Sequence, residues 1–132
     1  MRATWTLFSA VFFVSVAVGY ATGQTAVWQR SEPGVHHETV AEYASADPGI
    51  EKVLIRKFTL DPGAKEENFT PDHDNQCTGG QGEATVVAKD GTTYMHKAGE
   101  VWIERKGETQ SIYNNGKVPY VDIFVTRIPK KM

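Results

Sequence analysis

From Glu51 onward, short apolar stretches alternate with turn residues at the spacing of strands. Lys52 to Leu60 is rich in Val, Leu, Ile and Phe, and Asp61-Pro62-Gly63 stops it. Glu83 to Lys89 and Thr92 to His96 flank Asp90-Gly91, a hairpin signal because both turn positions must tolerate positive φ. Ala98-Gly99 turns the chain again into Val101 to Glu104, and Lys106-Gly107 breaks it. Gln110 to Tyr113 is closed by Asn114-Asn115-Gly116. In Tyr120 to Ile128, Val121, Ile123 and Val125 alternate with Tyr120, Asp122 and Phe124. Between the first two of these strands, Ala64 to Gly82 reads as polar and irregular. Val35 to Ala44 alternates weakly, as either an edge strand or a loosely held arm. Beyond the first two dozen residues no segment sustains a 3.6-residue period. The pattern predicts an all-β chain: a sandwich, a jelly roll or a small barrel. Closure into a barrel would also protect sheet edges.

The N-terminus follows another rule. Arg2 is the only charge before Arg30, and Trp5 to Val18 is a dense apolar run. Ala21-Thr22-Gly23 then supplies small residues at the −3 and −1 positions of a cut after Gly23. This predicts a signal peptide over 1–23, an N-terminal arm or edge strand over 24–50 and a barrel over 51–132. The protein is then expected to be secreted or periplasmic, with no stable membrane insertion once the signal is removed. An uncleaved anchor is the alternative, but the apolar run falls short of the ~20 residues a span needs.

Charge adds mainly exclusions. Fourteen Lys and Arg against sixteen Asp and Glu give a formal net charge of −2. No basic stripe marks a nucleic-acid partner and no acidic block marks a disordered tail. Cys77 is the only cysteine, so no disulfide can form within the chain. The expectation is a buried, inert thiol.

Two glycine-framed blocks carry the family argument. One runs from Gly63 to Gly82 and the other from Gly99 through Gly107 to Asn114, joined by the Asp90-Gly91 hairpin. This arrangement, over residues 53–128, resembles the two sequence motifs of the cupin superfamily. The resemblance implies a single cupin-type jelly-roll β-barrel. In that family the motifs also carry three histidines and a glutamate that bind a metal. Here the first two histidine positions hold Phe69 and Pro71, the glutamate position holds Asn75, and the last histidine position holds Gln110. Phe and Pro offer no side-chain donor, and neutral amides are weak ligands for a transition metal. No metal and no other cofactor is therefore expected.

The resemblance places the ligand positions inside the barrel, so Phe69, Asn75 and Gln110 would line a cavity with one aromatic face and two amides. They would form a pocket for a small organic ligand, or merely fill the barrel. The leading expectation is an exported, metal-free binding barrel without catalysis of its own. One alternative is an enzyme: a metal-dependent oxidase or isomerase with unorthodox ligands such as Asp72 and His73, or a metal-free isomerase or lyase using Glu104 or Tyr113. The other is a structural homodimer with a filled barrel. Cupins often pair through their sheets, so a homodimer is the expected assembly.

The remaining chemistry-bearing residues read as surface. Asp72-His73-Asp74 is expected to be a polar loop, because neighbours on a strand face opposite ways. His36-His37-Glu38, His96 and Glu104 are all expected to be exposed. Gly79-Gly80 suggests a bulge or a widened barrel mouth. Asn68-Phe69-Thr70 is a glycosylation sequon, with Pro71 directly after it.

Overall fold

A computed structural model describes residues 32–132; the expected signal peptide lies outside them. Among the described residues there is no helix. Nine strands follow in order: β1 Val35–Ala44, β2 Ile50–Leu60, β3 Lys65–Phe69, β4 Asn75–Gln81, β5 Glu83–Ala88, β6 Thr93–Lys97, β7 Val101–Glu104, β8 Gln110–Tyr113 and β9 Tyr120–Pro129. They form a five-stranded sheet in the order β1-β2-β9-β4-β7 and a four-stranded sheet in the order β3-β8-β5-β6. All pairings are antiparallel. Val35–Ala44 is thus an edge strand, paired along β2.

The two sheets face each other across one core. Phe58, Leu60, Cys77, Phe124 and Tyr120 from the larger sheet pack against Ala84, Val86 and Ile112 from the smaller one. Side chains alternate across a strand, so each strand sends every second residue inward. In β9 the inward set is Tyr120, Asp122, Phe124, Thr126 and Ile128, all buried. The β-branched set Val121, Ile123 and Val125 faces outward and is half-buried. Polar side chains therefore enter the interior on a strand whose most apolar face points away from it.

The polar stretch 64–82 is where the structure departs most from the sequence reading. It holds two full strands, β3 and β4. Their inward positions are Glu66, Phe69, Asn75, Cys77 and Gly79, too polar to read as a core face. Glu66 and Phe69 are three apart and would face opposite sides of a regular strand. A register shift between them brings both to one side. Asn68 sits inside that shift at φ 55, a conformation that asparagine adopts more readily than most residues. Its backbone N–H donates to Ser111 Oγ at 3.0 Å, which fixes the kink.

The expected glycine bulge is present: the β4–β9 register shifts between Gly79 and Gln81. Gly79 has a second reason to be glycine. A Cβ there would lie 2.1 Å from the Lys97 carbonyl oxygen, at the end of β6 where the two sheets meet. The closure of the barrel at this end requires the absence of a side chain. We expect Gly79→Ala to cost about 3 kcal/mol or more, since backbone must move. Gly80→Ala, whose Cβ would sit 3.4 Å from the nearest atom, should stay within about 1 kcal/mol of wild type. Urea denaturation of the two variants checks the contrast.

Candidate active or binding site

Strand register places three polar side chains in one row across the five-stranded sheet. Asn75 lies opposite Glu104 on one flank and opposite Thr126 on the other. All three face the interior, and hydrogen bonds run along the row. Arg56 Nη2 donates to Thr126 Oγ1 at 2.8 Å, the Thr126 hydroxyl donates to Asn75 Oδ1, and Asn75 Nδ2 donates to Glu104 Oε2 at 3.2 Å. The four-stranded sheet supplies the other half. Tyr94 donates its hydroxyl to Gln110 Oε1 at 3.0 Å, and Gln110 Nε2 donates to Glu104 Oε1 at 3.1 Å. Every bond in both chains points its donor toward Glu104.

Glu104 is therefore inside the barrel, which corrects the expectation of an exposed side chain. Burial pushes its carboxyl up from the ordinary range. Asn75 opposes this, the Glu66 carboxylate adds to it, and Gln110 opposes it. Asp122 is buried on the same sheet, and the Tyr120 hydroxyl donates to its Oδ2 at 2.8 Å. Burial above all pushes Asp122 up to about 7, with Glu104 and Glu66 adding to the push. His37 on β1 also turns inward, contrary to the expected surface position. Its Nε2 lies 3.0 Å from Glu66 Oε2, and its Nδ1 is buried without a hydrogen-bond partner. Arg56 lies with its guanidinium 4.8 Å from the Phe124 ring centre.

These groups surround a cleft. His37, Glu66, Glu104, Gln110 and Asp122 line it, with Phe58, Phe69, Ile112 and Phe124 as its apolar walls. It holds about 370 Å³ of space between atoms, counted out to its open mouth, of which the centre of a water molecule reaches about 30 Å³. That is room for a few waters or a head group of that size, not for a bulky molecule buried whole. Phe69 and Gln110 thus line the cleft directly, while Asn75 stands behind it and holds Glu104.

The residues at the four positions matched to the family's metal ligands do not fit a transition metal. Asn75 and Gln110 present amide NH₂ groups to Glu104 while their carbonyl oxygens are bonded elsewhere. An amide nitrogen that donates hydrogen bonds is no ligand for a cation. Phe69 and Pro71 bring no donor. Among the described residues, no group of three or more His, Cys, Asp or Glu is arranged to hold a metal ion.

The other candidates lie elsewhere. Asp72 and Asp74 are exposed in the turn before β4, where Asp74 Oδ1 accepts a hydrogen bond from the Lys106 backbone N–H. Tyr113 faces outward next to Glu67, away from the cleft. Cys77 is buried, with its thiol pushed far above the ordinary range by burial. His96 was expected at the surface and is instead 5% exposed. It stacks on Trp102 with ring centres 3.7 Å apart. Burial pushes it down to about 4, so the ring is neutral at pH 7. Sequence reasoning missed Glu66, Asp122 and His37. The one available signal was the even spacing that puts Asp122 on the Tyr120 and Phe124 face of β9.

No family model matches the chain, and no curated protein matches it significantly. Solved structures do. An uncharacterised conserved protein with a double-stranded β-helix domain from Klebsiella pneumoniae matches at a TM-score of 0.60 and 20% identity, over 74% of this chain and 79% of that one. A cupin superfamily protein from Desulfitobacterium hafniense matches at 0.56 and 20%, over 74% and 80%. The polyketide cyclase RemF from Streptomyces resistomycificus matches at 0.59 and 16%, over 74% and 69%. At these identities the likeness is one of fold. The chain has the double-stranded β-helix, or jelly-roll, fold of the cupin superfamily, as the two glycine frames imply.

Two buried groups predict opposing pH effects on stability. Asp122 has its pKa raised by folding, from 3.8 to about 7. Its favourable contribution is present below its unfolded pKa and is lost as pH rises toward 7, on the order of 4 kcal/mol. His96 has its pKa lowered, from 6.5 to about 4. Its neutral ring is accommodated at high pH, and stability is lost as pH falls from 6.5 toward 4, on the order of 3 kcal/mol. Urea unfolding of Asp122→Asn should then show stability falling on acidification more than in wild type. His96→Phe should show the reverse.

Proposed function

We propose that this protein is a small-molecule-binding barrel that works without a bound metal, with Glu104 as its central recognition group. The observation that carries this reading is the pair of amides, Asn75 and Gln110, clamped on the two oxygens of Glu104 beside an open cleft with phenylalanine walls. Aromatic walls with a few fixed polar groups are the usual make-up of a ligand site. Phe69, Asn75 and Gln110 are the residues we assign to it. The sequence of residues 1–23 supports action outside the cytoplasm. Exposed Val101 and Ile103, on the same outer face as Ile123 and Val125 with Thr78 and Gln76 between them, support pairing of two copies through the larger sheet.

A second reading is favoured by one observation. Glu104 is a buried carboxyl held above its ordinary range, the condition of a general acid or base that works near neutral pH. In that case the barrel is a metal-free isomerase or lyase.

A fragment screen read by amide shifts tests both. Binding predicts saturable shifts clustered at residues 69, 104 and 110. Gln110→Ala, which frees one Glu104 oxygen, should weaken the hits about tenfold, as expected for a loss of 1–2 kcal/mol. Hits indifferent to this change would contradict the assigned pocket. Turnover of a hit that disappears in Glu104→Gln while binding persists would establish the second reading.

A further inference from the structure

The hydrogen-bond ledger of the cleft is one-sided. The Asn75 and Gln110 NH₂ groups are engaged by Glu104, the Tyr120 hydroxyl by Asp122, and the Thr126 hydroxyl by Asn75. Beyond the second N–H of Gln110, the polar groups left to meet a ligand are mainly carboxyl oxygens. The carboxylates of Glu66, Glu104 and Asp122 line the cleft, and an ionised carboxylate has about four acceptor sites, more than these bonds use. His37 also lines the cleft, with its Nε2 against Glu66 Oε2 and its Nδ1 buried without a hydrogen-bond partner.

Charge agrees with this ledger. Three carboxyls share the cleft, the Arg56 guanidinium meets them from β2, and the His37 ring lies beside Glu66 from β1. Arg56 is occupied with Thr126 and the Phe124 face. Burial first, and the neighbouring carboxyls after it, push the carboxyls of Glu104 and Asp122 above their ordinary range. An anionic ligand would meet three carboxyls and little donor capacity beyond the second N–H of Gln110. A neutral one would leave the crowding unrelieved. A cation would satisfy the acceptors and let the carboxyls ionise. The walls suit it too, because a cation is attracted to an aromatic face, as Arg56 over Phe124 already shows.

We propose that the ligand of this cleft is a small organic cation with N–H donors, such as an alkylammonium or amidinium head group, held by Glu66, Glu104 and Asp122 against the ring of Phe69. The inference rests on the binding-barrel reading and specifies its ligand class. The cleft volume limits the buried part to a few heavy atoms, so a longer molecule would leave its tail at the mouth.

The test uses three probes of one shape and different charge: propylammonium, propan-1-ol and propionate, at constant ionic strength. Amide shifts of the full mature chain are the readout. Propylammonium should give saturable shifts at residues 69, 104, 110 and 112, with the other two at least tenfold weaker. Glu104→Gln and Asp122→Asn keep shape and remove charge, and each should weaken propylammonium tenfold or more. Phe69→Leu removes a ring without touching a carboxyl and should weaken it several-fold, so the test does not depend on one variant folding. If propionate or propan-1-ol saturates the same residues as well as propylammonium does, the cation class is wrong and the pocket stands. Propylammonium binding that ignores all three substitutions overturns the site. If no probe moves these residues, and a fragment screen moves none of them either, the pocket reading fails and the cation class with it.

Discussion

A carboxyl taken out of water must be hydrogen-bonded or it destabilises the fold, and the interior of this barrel is arranged around that requirement at Glu104. One oxygen is bonded by Asn75 from the same sheet and the other by Gln110 from the facing sheet. The carboxyl thereby ties the two sheets together. Each amide must in turn have its carbonyl satisfied, which brings in Thr126 and Tyr94, and Thr126 brings in Arg56. One buried acid thus accounts for polar inward residues on five other strands.

The same arrangement sets the electrostatics of the cleft. A chain of aligned donors stabilises negative charge at its end, and burial opposes it. Glu104 sits where these two effects compete, and Glu66 adds repulsion. The stacked pair of His96 and Trp102 touches this network through the edge of the Tyr94 ring and makes no hydrogen bond to it. Both have a buried ring nitrogen without a hydrogen-bond partner, and their contribution is packing.

The frame of the fold was legible because turns are written in local chemistry. Gly63, Gly82, Gly99 and Gly107 all have positive φ, which is why their spacing survives as a pattern. Asn114 is legible for a related reason: its side chain bonds the Leu60 and Val118 carbonyls and closes the loop into β9. The polar interior was not legible. Burial of Glu66, Asn75, Glu104 and Asp122 depends on partners from distant strands, which no local window contains. The strands of Glu66 and Asn75 therefore vanished into an apparent loop, and Glu104 and His96 were placed on the wrong side. The Asn68 kink added a second obstacle, since it breaks the alternation that would have put Phe69 and Glu66 on opposite faces.

The buried thiol of Cys77 has a consequence of its own. It is the only sulfhydryl in the chain, lies between Trp102 and Phe124 in the strand register, and is held protonated by its surroundings. Alkylating reagents attack the thiolate and need access to it. The closed barrel denies them both. Modification of Cys77 therefore records only those moments when β4 parts from its neighbours, and its rate is an internal clock for the opening of the barrel.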